Sequence, residues 1–461
     1  MQCAPRPRQL ITTWIILAAL AAGGILSGCS TFTSDGGFNR VADATKADLK
    51  LEVRWPRSAD EHAKVKTQID ALLAHPLGPD DAVQIALLNN HALQASFQEL
   101  GISEADLVQS GRLPNPSFTL RHASGSGFVD IEETLTFNVL SLITAPYQHA
   151  AEQRRFSQVQ DATIIQVVQL ADRTRTAYYT SQAAHDSLQY AWQVKIAAET
   201  GAEIAQRMLG AGNWSRTDQY RQQNFYTQSL QQLARAQLAD DTAHTELNRL
   251  LGIGDGGPQP QLAPHLPALP ENFSESPGQE QAAMQNRIDL KIMRAHLDEL
   301  ARRLKLMRAT RLINVLDAGP TRVREGAADQ PHENGYEVSF EVPIFDTGAA
   351  RVHKAEAIYA QAEEQFAQAA LDARAQVHVA LSRYRTAYTL ASRQHDDILL
   401  VAKRMTAQDL LRYNASQISV FDLLADARAQ IDSVDLGLDT LRDFWIAKSH
   451  LDTALIANSS D

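Results

Sequence analysis

The sequence predicts a mainly α-helical protein with a small β part, built from two copies of one strand–strand–long-helix repeat. Three observations lead to this fold class. The ranges 147–209 and 349–414 contain no proline and a single glycine, alternating segments precede each of them, and RTRTAYYTSQAAHD from Arg173 recurs as RYRTAYTLASRQHD from Arg383. Self-similarity at a fixed offset is the signature of a duplicated architecture.

The composition limits the classes of protein to which the chain can belong. At 44% hydrophobic and 21% charged residues the chain is neither disordered nor fibrous. A net charge of -11 argues against a nucleic-acid partner, because such proteins carry a basic face. The 14 histidines are scattered without a paired ligand motif, and no nucleophile elbow, phosphate loop or dinucleotide loop occurs. We therefore expect no enzyme activity, no cofactor and no metal site.

The N-terminus is typical of a targeting segment. Basic residues precede the apolar stretch ITTWIILAALAAGGIL, which ends in Leu26-Ser27-Gly28-Cys29. This ending resembles the bacterial lipobox, which implies that 1–28 is a lipoprotein signal peptide and that Cys29 is lipidated. An ordinary signal peptide or an uncleaved anchor helix stays open as the alternative. Ser30 after the cysteine implies sorting to the outer membrane, and 29–79 is then a lipidated N-terminal arm.

The first repeat is predicted at 80–274. Its first helix has Asp80 and Asp81 at the N-terminus and stops before Pro114, because proline cannot continue a helix. After it the period changes from helical to alternating, which indicates a hairpin. The remaining predicted elements are the β-hairpin 117–140, the long helix 147–209, the tip turn 210–215 and the return helix 216–251.

The second repeat, 275–461, follows the same order. A helix leads into alternating segments such as NGYEVSFEVPIFD, and an alanine-rich helix follows them. Small side chains allow close packing of long helices. The predicted elements are a helix, strands within 311–345, a long helix 349–414, a tip turn 415–419 and a return helix to the C-terminus.

The number of strands limits how they could close a β-barrel. Alternation of this kind suits either a half-buried soluble sheet or a membrane barrel. One chain supplies four strands, whereas a barrel with filled walls needs about eight or more. Open strand edges cannot lie in lipid, because their backbone groups would be unsatisfied. Membrane-embedded strands would therefore have to be pooled by several chains, and three chains would supply twelve.

The ordered set of motifs resembles the TolC-like outer-membrane efflux family, in its lipid-anchored branch. The motifs are DDAVQIALLNN, LPNPS, GAGNWSRTDQ, VPIFDTGAARVHKAEA and LLRYNASQISVFDLLADARAQI, and the resemblance extends from Asp80 to nearly the end of the chain. It implies a homotrimer that forms a 12-stranded β-barrel in the outer membrane, continued by a long periplasmic α-helical barrel. It also implies a periplasmic membrane-fusion adaptor and an inner-membrane pump of the RND or ABC type. Ala415-Ser416 and His91 depart from positions where the family often has glycine and proline.

The resemblance also implies functional residues, each with a structural alternative. The tip turns would contact the adaptor, and they would also begin the return helices through Ser215–Asp218 and Ser419–Asp422 capping boxes. The predicted contacts are Gly212, Asn213, Trp214, Ser215, Ser416, Gln417, Ile418 and Ser419. An entrance gate would comprise Arg404, Asp409, Arg412, Asp422 and Asp426, for which a solvated helix face is the alternative. Lumen-facing acidic strand residues would be Asp130, Glu132, Glu337 and Glu341, for which a water-wetted wall is the alternative.

The expected function is a passive exit duct, in which a pump elsewhere supplies the energy for export of small molecules or ions. The alternative is a non-channel structural coiled-coil lipoprotein of the cell envelope, which would have no need of paired amphipathic hairpins. In either case the repeated R-x-R-T-A-Y segment is interpreted as a helix-packing signature. Tyr178 and Tyr388 are expected between helices, with the arginines toward water or acidic neighbours.

Overall fold

The computed structural model describes residues 31–458. It leaves out residues 126, 127, 255, 256, 272, 274, 276, 277, 314, 327–329, 416 and 419, and at 128, 396, 397, 399, 402, 403, 420–422, 424 and 425 it describes the backbone alone. The predicted signal peptide 1–28, the predicted lipidation site Cys29 and the tip residues Ser416 and Ser419 therefore lie outside the described residues.

The chain is mainly helical with four strands. The first half contains α1 Phe38–Leu49, α2 Ala59–Leu73, α3 Pro79–Asn89, α4 His91–Ser110, β1 Ser117–Gly125, β2 Phe128–Asn138, α5 Val139–Gly210 and α6 Arg216–Leu251. The second half contains α7 Gln279–Asn286, α8 Ile288–Ala309, β3 Leu316–Gly326, β4 Glu333–Phe340, α9 Ala349–Arg393, a π-helical turn Gln394–Leu399, α10 Leu400–Asn414 and α11 Val420–Ile456. Both halves repeat the order helix, helix, strand, strand, long helix, return helix.

The long helix α5 begins earlier than the sequence predicts. It includes Pro146 and follows β2 directly, because the Asn138 side chain accepts the Ser141 N–H at 2.6 Å and so satisfies a free donor of the first turn. The second long helix also differs from the prediction, since a π-helical turn separates α9 from α10. The buried Gln394 side chain at this turn donates to the Ser433 carbonyl at 2.8 Å.

The same kind of break separates the first two helices of each repeat. Asn90 lies between α3 and α4, and Arg287 lies between α7 and α8, each with a non-helical backbone, at ψ angles of 118° and 132°. Each side chain then donates to a carbonyl near the end of a return helix. Asn90 Nδ2 is 2.9 Å from the Leu250 oxygen, and an Arg287 guanidinium nitrogen is 2.9 Å from the Ala454 oxygen. These bonds satisfy carbonyls that a helix end leaves without a partner.

The four strands form one antiparallel sheet in the order β1-β2-β3-β4. Paired residues share a face, so the register assigns every side chain to one of two faces. One face has an apolar part, which includes Phe118, Leu120, Ile131, Leu135, Phe137, Ala318, Tyr336, Val338 and Phe340. Nearer the two hairpin turns the same face also has polar residues, namely His122, Glu133, Arg322, Arg324 and Asn334. The other is polar and includes Thr119, Arg121, Asp130, Glu132, Thr134, Thr321, Glu325 and Glu337.

A close backbone approach requires a glycine in β3. A Cβ atom at Gly319 would lie 1.7 Å from the Leu135 carbonyl oxygen, which no side chain can occupy. The ladder between β2 and β3 is interrupted here, between the pairs Thr134↔Thr321 and Phe137↔Ala318. Pro320 is the next residue, and it has no N–H to donate.

The chain divides into two compact units, and each is described by itself. One comprises 98–160, 292–367 and the described residues up to Phe38, and it contains the sheet. The other comprises the described residues of 39–97, 161–291 and 368–458, and its core is made by helices. Its fully buried side chains include Ile85, Leu87, Tyr178, Leu247, Leu251 and Phe444. Among the described residues no helix is both long enough and apolar enough to cross a membrane.

Candidate functional site

The apolar face of the sheet is uncovered. The exposed fractions are 64% for Phe118, 60% for Leu120, 85% for Tyr336, 53% for Val338 and 64% for Phe340. An exposed apolar patch that spans several strands marks a surface that another molecule or a membrane covers. The sheet therefore has one face that suits an apolar environment over the part nearer the helices, and one face that suits water.

Three of the predicted acidic strand residues share the polar face. Asp130 and Glu132 lie in β2 and Glu337 lies in β4, with side-chain directions fixed by the register. Glu132 is 3.7 Å from the guanidinium of Arg121 on the neighbouring strand. Glu341 differs, because β4 ends at Phe340 and Glu341 lies just beyond the strand.

The first tip turn is closed by backbone bonds. Gly212 has a φ of 78°, and the N–H groups of Gly212 and Asn213 donate to the Leu209 and Met208 carbonyls at 3.0 Å. A left-handed residue with this pair of bonds terminates a helix, and glycine adopts it without strain. Gly212 and Asn213 are exposed, whereas Trp214 is half-buried and has contacts of its own. Trp214 is thus less accessible than its place in the turn predicts.

Ser215 begins the return helix α6. Its hydroxyl oxygen accepts the Asp218 N–H at 3.2 Å and its O–H donates to the Asp218 carboxylate at 2.7 Å. Asp218 also pairs with Arg221 at 3.3 Å. The predicted serine cap is therefore present at this tip. The serine remains exposed, so the cap leaves the turn open to a partner.

The second tip closes in a similar way as far as it is described. The Gln417 N–H donates to the Arg412 carbonyl at 2.8 Å, which corresponds to the Asn213–Met208 bond of the first tip. Gln417 is exposed and Ile418 is half-buried. Because Ser419 lies outside the described residues, the predicted Ser419–Asp422 cap stays a prediction.

Two of the five predicted gate residues come together. Asp409 is buried, at 8% exposure, and a guanidinium nitrogen of Arg412 is 3.2 Å from its carboxylate one helical turn away. Arg404 is exposed and makes no ion pair with a described side chain. Asp426 is half-buried and has partners, and the Asp422 side chain is not described.

The return helices contain a polar contact between residues that no sequence motif connects. Gln232 of α6 donates to the Asp435 carboxylate of α11 at 2.8 Å, across 203 residues. Burial, together with the neighbouring Asp439 and Asp432, raises the pKa of Asp435 to about 6. The spacing of these three aspartates was visible in the sequence, but the burial that shifts the pKa depends on the packing of two helices.

The two copies of R-x-R-T-A-Y make matching contacts, as the sequence predicts. The Tyr178 O–H donates to the Leu77 carbonyl at 2.8 Å, and Arg175 pairs with Asp80 at 3.0 Å. In the second copy the Tyr388 O–H donates to the Pro270 and Glu271 carbonyls at 3.3 Å, and Arg385 pairs with Glu275 through both carboxylate oxygens.

These contacts give the segment its role. Each tyrosine fastens a long helix to the chain that precedes the first two helices of its repeat. The second arginine pairs with Asp80 at the start of α3 in the first copy, and with Glu275 ahead of α7 in the second. Tyr178 is fully buried, and burial raises its pKa to about 12. Arg383, Thr386 and Ala387 of the second copy also line a groove of about 740 Å³ between α9 and α11. Tyr178 and Tyr388 belong to helix packing.

The fold defined by these elements is that of the outer-membrane channels. No protein-family model matches the sequence, and no curated protein matches it. Solved structures do match it over most of its length. The Campylobacter jejuni CmeC outer membrane channel is 13% identical, with a TM-score of 0.69, and the match covers 88% of this chain and 89% of that one.

Two further structures are similar to the same extent. The Neisseria gonorrhoeae MtrE outer membrane channel, solved in its open state, is 15% identical with a TM-score of 0.65, covering 81% of this chain and 88% of that one. CusC, described for its folding and transmembrane channel formation, is 18% identical with a TM-score of 0.67, covering 85% and 92%. The resemblance to the TolC-like family is thus confirmed at the level of the fold.

Proposed function

We propose that the protein is the outer-membrane channel of a tripartite efflux or secretion system, a passive exit duct for small molecules or ions. One observation carries the proposal: the sheet has an uncovered apolar face and a polar face, on a chain whose whole fold is that of outer-membrane channels. A structural coiled-coil lipoprotein, the alternative, would not require a sheet of this kind.

The strand dimensions suit a bilayer. β2 and β3 have 11 residues each, and at about 3.4 Å per residue such a strand is roughly 37 Å long. Tilted by about 45° it spans roughly 26 Å, close to the apolar band of a membrane barrel. The apolar face would then contact lipid, and the polar face would line water.

Closure requires more than one chain. β1 and β4 are the edges of the sheet, and unpaired edges cannot lie in lipid. We propose a homotrimer in which β4 of one chain pairs with β1 of the next, giving a 12-stranded barrel continued by an α-helical barrel in the periplasm. On this proposal Asp130, Glu132 and Glu337 form acidic rings that favour cations, with Glu341 at the periplasmic rim.

The partners follow from the same proposal. The exposed turn residues Gly212, Asn213, Ser215 and Gln417 would meet a periplasmic adaptor that connects the duct to an inner-membrane pump. Asp409 and Arg412 would hold the entrance through their ion pair, with Arg404, Asp422 and Asp426 nearby. Lipidation of Cys29 would anchor the chain in the outer membrane. A Cys29→Ala variant is expected to lose its acyl chains, as measured by intact-protein mass spectrometry.

Conductance tests the duct directly. Purified full-length protein in a planar bilayer is expected to form water-filled, cation-preferring channels. A Glu132→Gln/Glu337→Gln variant should keep the conductance and lose part of the cation preference, because it removes six charges from a trimer. An Asp60→Asn/Asp70→Asn variant, changed at exposed positions of α2, is the matched control. Absence of conductance, together with monomers in detergent, would contradict the proposal.

A further inference from the structure

The ends of the sheet are not alike. The register places the start of β1, the end of β2, the start of β3 and the end of β4 side by side, through the pairs Ser117↔Thr136, Asn138↔Asp317 and Leu316↔Phe340. All four connections to helices therefore leave the sheet at one end, which we call the helix-proximal end. The two hairpin turns lie at the other end.

Exposed apolar residues surround the helix-proximal end. They occupy the first turns of α5, the connection between α8 and β3, and the connection between β4 and α9, and we call them the junction belt. The belt comprises Leu142, Ile143, Tyr147, Leu312, Ile313, Val342, Ile344 and Phe345, with exposed fractions from 38% to 100%. Apolar and aromatic residues at the margin of a barrel are typical of the membrane interface.

Basic residues follow the junction belt on its helical side. Arg302, Arg303, Lys305 and Arg311 are exposed, and Arg154 of α5 is half-buried. We call these five the basic band. None of them has an ion-pair or hydrogen-bond partner for its side chain among the described residues. Arg311 adjoins Leu312 of the belt, and at 1.5 Å per helical residue Lys305 lies about 10 Å further along.

All five line one groove between α5 and α8, with a volume of about 1170 Å³. Seven arginine and lysine side chains line the groove, against two carboxylates. Glu152 pairs with Arg155 at 3.7 Å, and Glu299 pairs with His296 at 3.3 Å. The groove is therefore strongly positive, although the chain as a whole carries a net charge of -11.

We infer that the basic band is a binding site for the phosphate headgroups of anionic phospholipids in the periplasmic leaflet of the outer membrane. This inference rests on the proposed function, because it takes the apolar face of the sheet as the part embedded in lipid. The acyl chains lie on the junction belt, and the headgroup phosphate is held by the guanidinium and ammonium groups of the band. Arginine suits this task, since its planar donors match phosphate oxygens.

The order of the two surfaces favours a lipid over a soluble anion. A site for a free anion needs only the charges, whereas here the charges begin where the exposed apolar surface ends. That sequence of apolar surface and then positive charge matches the sequence of acyl chain and then headgroup in a leaflet. The site would fix the depth of the barrel in the membrane.

The amount of phospholipid that the protein retains on extraction measures binding at the basic band. The full-length protein is reconstituted into nanodiscs of phosphatidylethanolamine and phosphatidylglycerol at four to one, extracted into detergent, and its bound lipid is quantified by mass spectrometry. The wild type is expected to retain phosphatidylglycerol above its share. Arg302→Gln/Arg303→Gln/Lys305→Gln should weaken this retention on the order of 100-fold, because each basic residue near the surface contributes about fivefold.

The control is Lys64→Gln/Lys66→Gln/Arg235→Gln, which makes the same charge change at exposed positions in the other unit and should bind lipid as the wild type does. Equal retention by the two triple variants would overturn the inference, and so would displacement of the lipid by inorganic phosphate at the same concentration. A change in ion selectivity without a change in retained lipid would also overturn it, by assigning the band to the lumen.

Conductance of the same nanodisc samples after fusion to a bilayer separates the two proposals. Normal conductance without a lipid preference contradicts the headgroup site and leaves the duct unaffected. A lipid preference without conductance contradicts the duct and supports the band as a membrane contact.

Discussion

In the first repeat the residue between the first two helices is the neutral Asn90, and in the second repeat it is the cationic Arg287. Both interrupt a helix for one residue, and both donate to a carbonyl near the end of a return helix at 2.9 Å. Arg287 is 1% exposed, and it needs more partners, which Asp289 and Gln376 supply at 2.7 and 3.0 Å.

The difference shows what the fold requires at this break between the first two helices of a repeat. The required part is a side-chain donor on the non-helical residue between the two helices, which reaches the end of the return helix. The amide of Asn90 does this at close range, and the guanidinium of Arg287 does it with a longer side chain and a buried charge. Because a buried charge must be compensated, Arg287 has a network of hydrogen bonds and an ion pair, whereas Asn90 has separate hydrogen bonds.

The largest effect is therefore expected for Arg287→Ala. The change leaves the Asp289 carboxylate and the Ala454 carbonyl without their partner, and loss of one member of a buried pair typically costs about 3–5 kcal/mol. The apparent melting temperature, followed by circular dichroism in detergent, should fall sharply. Arg294→Ala, at an exposed position of α8, is the control. A melting temperature equal to that of the control would mean that the network is not required.

Asn90→Ala should cost less than Arg287→Ala. It removes the bond to the Leu250 carbonyl and the bond from the Leu93 N–H, and each of these two hydrogen bonds contributes about 0.5–1.5 kcal/mol. No charge is left uncompensated. The same melting experiment orders the two variants, and a larger loss for Asn90→Ala would contradict the comparison.

The tyrosines of the repeated segment should differ in the same direction as their burial. Tyr178→Phe removes a buried hydrogen bond and is expected to cost about 1 kcal/mol. Tyr388→Phe removes two longer bonds at a more exposed position and should cost about half as much or less. Equal losses in urea unfolding midpoints would show that burial does not distinguish the two copies.

Asp435→Asn is expected to stabilise the protein at neutral pH. Because the pKa of Asp435 is raised to about 6 from 3.8, its ionised form opposes folding above pH 6, and this opposition disappears as the pH falls toward 3.8. The gain at pH 7 should be about 1 kcal/mol after allowance for solvent screening. Melting curves at pH 7.5 and pH 4 test it, and a gain that is the same at both values would assign the effect to another cause.

The smallest effect is expected for the ion pair of the second copy. The Arg385 guanidinium lowers the pKa of Glu275, so its contribution is complete above the ordinary pKa of 4.5 and is lost as the pH falls through the lowered value. Glu275→Gln should slightly flatten the acid limb of the stability curve at low salt and leave it unchanged at high salt. Glu271→Gln, four residues earlier, is the control, and identical acid limbs for both variants would contradict the assignment.

The sequence was sufficient for the features that depend on periodicity. Alternation in β1 to β4 predicts which side chains share a face, and the repeated R-x-R-T-A-Y predicts matched tyrosine and arginine contacts; the structure has both. The sequence was insufficient where a contact with a residue distant in the chain determines the local structure. Asn138 starts α5 ahead of Pro146, and Gln394 turns toward Ser433 where the helix becomes a π-turn. Neither residue belongs to a local sequence pattern that predicts its contact.

At the candidate site, too, the sequence predicts the local features but not those that depend on distant residues. Ser215 and Asp218 form the cap that their spacing predicts, because the cap is local. The exposure of Trp214, the pKa of Asp435 and the groove between α5 and α8 depend on what packs nearby. Arg302, Arg303 and Lys305 stand close together in the sequence, but their relation to the apolar residues of two other connections follows only from the register of the sheet.

The edges of the sheet have a consequence for how the assembly forms. β1 has nine residues and β4 has eight, so the free donors and acceptors of one edge can be matched by the other edge along nearly its whole length. In the proposed trimer a chain alone, or a pair of chains, still has two unpaired edges, and only the third chain removes them. Closure is then an all-or-none event, and the chains would have to meet before the sheets enter the bilayer completely.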